Sequence, residues 1–197
     1  MDKKAIQNER MKGYFIEAAK KIIKEEGVDK LTVKKVADAA GYAQGTLYNY
    51  FENLDRLLFH CIKDYFVECE DSVINKIDNY TTVTEKLINS ATAYSRYFIE
   101  HPNVYQLIFM ENLSYPPEEK IGEQGYIPKI IKILRGILEE CAQEGIIKEE
   151  EVTIIRNLIG NSIHGNLLFF INDVKKVRTK QEVLKKIETE VEYLLKK

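Results

Sequence analysis

The chain has 197 residues, 45% apolar and 30% charged, the mix of an ordinary globular protein. Its 29 Lys and Arg against 31 Asp and Glu leave a net charge of −2, which excludes a uniformly basic nucleic-acid coat and a strongly acidic tail. The longest strictly apolar run, Leu167 to Ile171, falls far short of the ~20 residues that span a bilayer.

Met1-Asp2-Lys3-Lys4 leads into no apolar signal core, so a cytoplasmic location is expected. Cys61, Cys69 and Cys141 stand at unrelated spacings with no CxxC pair. Neither a zinc knuckle nor a redox motif is supported, and buried free thiols are expected. Residues 1–52 hold ten Lys and Arg against eight Asp and Glu, a net of +2, which leaves −4 on the remainder. A polyanion would therefore meet the front end.

The spacing predicts helix nearly throughout. A first helix is expected from about Ala5 to Glu26, with Met11, Phe15, Ala19 and Ile22 or Ile23 as its apolar stripe and Gly27 beyond its last turn. Thr32 is the N-cap of a second, Val33 to Ala39, with Ala40 able to face inward and Gly41 breaking it. A third, short helix is expected from Gln44 to Tyr50 or Phe51, and Asn53 caps a fourth, Leu54 to about Ile77. Tyr80-Thr81-Thr82-Val83 reads as the lead into a helix rather than a strand. Further helices are expected over 84–100, 103–113, 127–144, 151–173 and 179–197, with an undefined stretch at 118–126.

Function points to residues 32–51, Thr-Val-Lys-Lys-Val-Ala-Asp-Ala-Ala-Gly-Tyr-Ala-Gln-Gly-Thr-Leu-Tyr-Asn-Tyr-Phe. Two short helices joined at a glycine are the layout of a helix-turn-helix. Ala37 and Ala40 let the helices cross closely, and Leu47 and Phe51, four apart, anchor the second helix. Gln44, Thr46, Tyr48, Asn49 and Tyr50 are left for the outside, with side chains suited to base edges and phosphates. The competing reading is an αα-corner with no ligand.

This segment resembles the DNA-binding domain of the TetR family of transcriptional repressors. The matching residues are Thr32, Val36-Ala37-Asp38-Ala39-Ala40-Gly41 and Gly45-Thr46-Leu47-Tyr48-Asn49-Tyr50-Phe51, with Ala18-Ala19, Gly27-Val28 and Asn53 around them. The resemblance implies an all-α chain: a helix-turn-helix DNA-binding domain at 1–52, then a helical effector-binding and dimerisation domain at 53–197. It implies that Thr32, Tyr48 and Tyr50 meet phosphate and that Gln44, Gly45, Thr46 and Asn49 lie toward the major groove, with Gly45 permitting close approach. Lys34 and Lys35 are candidate phosphate contacts, or else a solvated face. Two departures stand out: Ala43 where a capping Ser is frequent, and Leu54 where a basic residue is usual.

The helix over 151–173 is too apolar all round for a surface helix. Its two glycines, Gly160 and Gly165, are expected at a close helix contact. The TetR resemblance implies that with the helix over 127–144 it forms a homodimer bundle, through Ile130, Leu134, Ile137, Gly160, Ile163 and Leu167. The alternative is a central helix in a monomer. The aromatics Tyr65, Phe66, Tyr94, Tyr97, Phe98, Tyr105, Phe109, Tyr115 and Tyr126 read as core, with Phe66, Tyr94, Tyr97, Phe98, Phe109, Asn161 and His164 as candidates for an effector pocket. No cofactor or metal is expected. His60, His101 and His164 sit in no catalytic pattern, and GxSxG, Walker A and GxGxxG are absent. The expectation is therefore a dimeric, ligand-responsive repressor on a palindromic operator rather than an enzyme or a helical protein adaptor. In such a repressor, effector binding changes the spacing of the DNA-binding heads.

Overall fold

The computed structural model describes residues 2–77, 80–114, 125–173, 175 and 177–196. Its helices are α1 (Lys3–Glu26), α2 (Val33–Ala40), α3 (Gln44–Tyr48), α4 (Leu54–Ile77), α5 (Val83–Glu100), α6 (Pro102–Phe109), α7 (Lys129–Gln143), α8 (Val152–Ile171) and α9 (Lys180–Leu195), with short 3₁₀ turns at Val28–Lys30 and Glu149–Glu151. The all-α expectation holds. α3 and α6 stop short of their patterns, and α7, α8 and α9 start and end one or two residues inside theirs. α3 stops at Tyr48 because the Asn49 and Tyr50 amides turn to carbonyls three residues back, Thr46 and Leu47, tightening the last turn. α6 ends at Phe109 rather than 113. Tyr115 and most of 118–126 lie outside the described residues.

The packing divides into two units, Met1–Tyr65 with Asn103–Tyr126, and Phe66–Pro102 with Ile127–Lys197. The division between these packing units falls inside α4, and α6 joins the first unit.

In the first unit, Phe15, Ala19, Ile22 and Ile23 of α1 are buried, as are Val36 and Ala37 of α2. Phe15 is the hub: its ring meets Tyr42, Tyr50 and Phe51 at centroid distances of 5.5, 6.0 and 6.5 Å. Burying such a ring contributes about 2–3 kcal/mol. α1 ends at Gly27, whose φ of 91° suits glycine. Asn103, in the first turn of α6, donates from Nδ2 to the Lys24 carbonyl at 3.1 Å and lies against Gly27. The Asp55 carboxylate accepts from the Ser114 amide at 2.8 Å.

The second unit is built around α5, which buries residues on most of its faces, among them Leu87, Ala91, Tyr94 and Phe98. It packs against α7, α8 and α9. Buried Ser90 and Ser95 donate back to the Lys86 and Ala91 carbonyls, one turn earlier. α5 and α9 both start with reciprocal caps, Thr82 with Glu85 and Thr179 with Glu182. The hydrogen bonds from these threonines hold both carboxyls below the usual carboxylate range. α8 is not the central helix its composition suggests. It buries Ile155, Ile159, Ile163, Asn166 and Leu167, yet leaves Ile154, Leu158 and Phe169 exposed.

Candidate nucleic-acid interface and effector cavity

The Thr32 hydroxyl caps α2, accepting from the Lys35 amide at 3.1 Å. At the other end Gly41 takes a left-handed conformation, φ 79° and ψ 27°. There the Gly41 amide donates to the Asp38 carbonyl and the Tyr42 amide to that of Ala37. This turn swings the chain into α3, which α2 packs against. Leu47 and Phe51 are buried and fix α3 from below. The consequence is a short helix whose outer surface is set by its inner one. Gln44, Gly45, Tyr48 and Asn49 are exposed and Thr46 is half-buried. Tyr48, at 55% exposure, carries an aromatic ring to the surface that a solvated helix has no need of.

The remaining candidates divide. Tyr50 is half-buried, its ring against Phe15 rather than free of the core. Lys34 is exposed, while Lys35 holds Glu26 at 2.7 Å. α3 has no side-chain cap, as Ala43 predicts. At Leu54 the expected cation is missing, but Arg56 stands two residues on, 3.8 Å from Glu52, and its amide is capped by the Asn53 side chain at 2.9 Å. The sequence pattern did not suggest the stacking of exposed Tyr14 on Tyr42, 6.3 Å apart, which props the turn from α1. The signal was there in the adjacent Tyr14-Phe15 pair.

The second unit holds a cavity of about 100 Å³, lined by α5, α7 and α8 residues including Leu87, Tyr94, Leu134, Ile159 and Ile163. Of the seven pocket candidates, Tyr94 and His164 line it. They meet across it, the Tyr94 hydroxyl 3.4 Å from His164 Nε2. Burial holds the His164 imidazole below the ordinary histidine pKa of 6.5, so it is neutral at pH 7. Phe66, Tyr97 and Phe98 are buried but do not line the cavity; Tyr97 donates to Glu68 at 3.1 Å, and the Phe98 ring meets Tyr94 edge-on at 5.0 Å. Phe109 belongs to the first unit, against Tyr105. Asn161 lines a different feature, the groove between α8 and α9. Sequence reading missed Arg135 and Arg156, which also line the cavity.

That groove is open and apolar, lined by Leu158, Gly165, Phe169, Tyr193 and Leu194, with Ser162, Asn166 and Glu190 hydrogen-bonded at its floor. Of the six expected dimer residues, Ile130, Ile137, Ile163 and Leu167 are buried within the single chain and hold its core. Leu134 and Gly160 line the cavity. No side chain approaches Gly160 or Gly165 within 4 Å of where a Cβ would stand, so neither serves a close helix contact inside the chain. The large apolar side chains left open on these helices are Ile154, Leu158, Leu168 and Phe169 of α8 and Tyr193 of α9, with Ile131 of α7.

A capped helix, a left-handed glycine turn and a short helix with a polar outer face define a helix-turn-helix transcriptional regulator. The comparisons agree. The profile of bacterial regulatory proteins of the tetR family matches residues 15–61. The fatty acid metabolism regulator protein of Bacillus subtilis (strain 168) is 31% identical over 170 residues, covering 82% of this chain and 84% of that protein. The HTH-type transcriptional regulator HbdR of Aromatoleum sp. (strain CIB) is 29% identical over 163 residues, covering 83% and 70%. The crystal structure of the transcriptional regulator FadR from Bacillus subtilis in complex with stearoyl-CoA matches with a TM-score of 0.70 at 26% identity, covering 93% of this chain and 97% of that one. The chain belongs to the TetR family of bacterial regulatory proteins, and its function is DNA-binding control of transcription. The relatives are regulators, not enzymes. Among the described residues no helix is long and apolar enough to cross a membrane.

Proposed function

We propose that this chain is a repressor that binds a palindromic operator as a homodimer and leaves it when a small molecule enters the second unit. Residues 1–52 carry the DNA contacts. Gln44, Thr46 and Asn49 face the major groove, where Gln and Asn pair with adenine; Gly45 lets the backbone approach, and Thr32, Lys34 and Tyr48 hold phosphate. Lys35 and Tyr50 contribute less, being engaged with Glu26 and Phe15. The carrying observation is the outer face of α3, polar and aromatic, held rigid by buried Leu47 and Phe51. One helix-turn-helix reads few base pairs, and a two-fold dimer doubles the site. The open apolar face of α8 and α9 supports that dimer. Kinship with a regulator crystallised with stearoyl-CoA supports a small-molecule effector.

The test is selection of bound sequences from a random DNA pool at near-physiological salt. A palindromic consensus is the expected result; a folded protein that enriches nothing refutes the reading. On that consensus, Gln44→Ala weakens binding by about 1–3 kcal/mol and relaxes one position of the site. Tyr48→Ala weakens all sequences alike and leaves the fold intact. Fluorescence anisotropy on matched and mismatched duplexes reads both.

A further inference from the structure

The cavity between α5, α7 and α8 is apolar over most of its wall, yet two guanidinium groups line it. Arg135 is neutralised by Glu139, one turn on, at 2.9 Å. Arg156, half-buried at the start of α8, has no carboxylate partner among the described residues. The other polar groups on the wall, Tyr94 and His164, are engaged with each other, and the imidazole is neutral. The cavity thus carries one uncompensated positive charge beside Leu87, Leu134, Leu138 and Ile159. A half-buried cation facing an apolar space attracts an anion far more strongly than one in water does.

We infer that the cavity takes an effector with an apolar body and an anionic group, and that Arg156 is the counter-charge for that group. This deepens the effector reading above and rests on it. A carboxylate of a free acid and the phosphates of an acyl thioester share this chemistry, and guanidinium pairs with both in a bidentate manner. Arg156 lies on the same α8 stripe as Ile159, Gly160, Ile163 and His164. An apolar chain along that stripe, with its charged end at Arg156, would reach the Tyr94–His164 pair at its other end.

The test is calorimetric titration of the full-length chain, without DNA, with octanoate, stearate, octanoyl-CoA, stearoyl-CoA and 1-octanol. At least one anion is expected to bind, more tightly than the uncharged alcohol. Which of the acid or thioester arms binds identifies the source of the charge. Arg156→Gln is expected to weaken the bound anion by about ten- to hundredfold while leaving 1-octanol binding unchanged, and Arg156→Lys to keep part of the affinity. Three results overturn the inference: no anion binds, 1-octanol binds as well as the anions, or folded Arg156→Gln holds the anion as well as the parent. The wild-type comparison of acid with alcohol stands even if a variant misfolds. Anisotropy on the selected operator separates the two readings. An anion that binds through Arg156 without releasing DNA refutes the effector role and leaves the site. Release of DNA by an uncharged ligand does the reverse.

Discussion

His164 shows how much a single position carries. On the most apolar helix it is a polar residue needing a partner, and the structure supplies Tyr94 at 3.4 Å and edge-on at 5.9 Å. Burial lowers its pKa from 6.5. The unfolded chain therefore takes up a proton near pH 6.5 that the folded chain refuses, and stability falls as pH drops below that value. His164→Gln should flatten this part of the profile, so that melting temperature between pH 7 and 5 falls less steeply than in the parent. An unchanged slope would place the acid sensitivity elsewhere. Tyr94 and His164 were legible as pocket residues because polar groups on apolar stripes must be satisfied. Asn161 met the same criterion and belongs to another feature. Arg156 was passed over because one charge near a helix start reads as ordinary solvated surface.

At the scale of elements, α8 shows what composition leaves open. One stripe, Arg156, Ile159, Gly160, Ile163 and His164, faces the cavity. A second, Leu158, Asn161, Ser162, Gly165, Asn166 and Phe169, faces the α8–α9 groove. The two are offset by two residues, about 200° around the helix, so they lie on roughly opposite sides. Each stripe mixes apolar with polar residues, so composition marked the helix as covered without saying which side met what. Periodicity alone cannot separate two filled stripes. The helix-turn-helix was legible for the opposite reason. Thr32, Gly41, Leu47 and Phe51 each do one thing the backbone demands, a cap, a left-handed turn and two anchors. Gly41→Ala should accordingly cost about 1–2 kcal/mol for its left-handed φ, lowering the melting temperature by about 2–4 °C per kcal/mol. Gly45→Ala, in open space without positive φ, should leave melting unchanged. Equal losses in the two variants would show that the turn is not what the glycine serves.

At the scale of the whole molecule, exposed apolar area is the quantity to explain. Phe169 is 68% exposed and Tyr193 78%, beside Ile154 and Leu158. A contiguous apolar patch of this kind on a lone chain marks an interaction surface. If the proposed homodimer forms through this surface, Phe169→Asp should convert it to monomer in light scattering, with helicity by circular dichroism unchanged and operator affinity reduced, because each half-site then binds alone. A dimer that survives this charge would move the interface off α8 and α9. The modest charge asymmetry of the sequence, +2 on residues 1–52 against −4 on the rest, puts the excess of cations in the part of the chain where the tetR-family profile matches. It could not say which lysines remain available, because the Lys35–Glu26 pair joins residues nine apart through the fold.

The three cysteines have a practical corollary. All are buried, and burial pushes the Cys69 thiol up to about 12 and that of Cys141 to about 11, with Cys61 higher still. At neutral pH none offers a thiolate to an alkylating reagent. The native chain is therefore expected to resist maleimide labelling, which mass spectrometry after brief exposure checks. A single cysteine placed at an exposed position such as Asn49 would be the sole reactive handle on each chain, and in the proposed dimer two spin labels so attached would measure the span between the two α3 helices with and without added ligand.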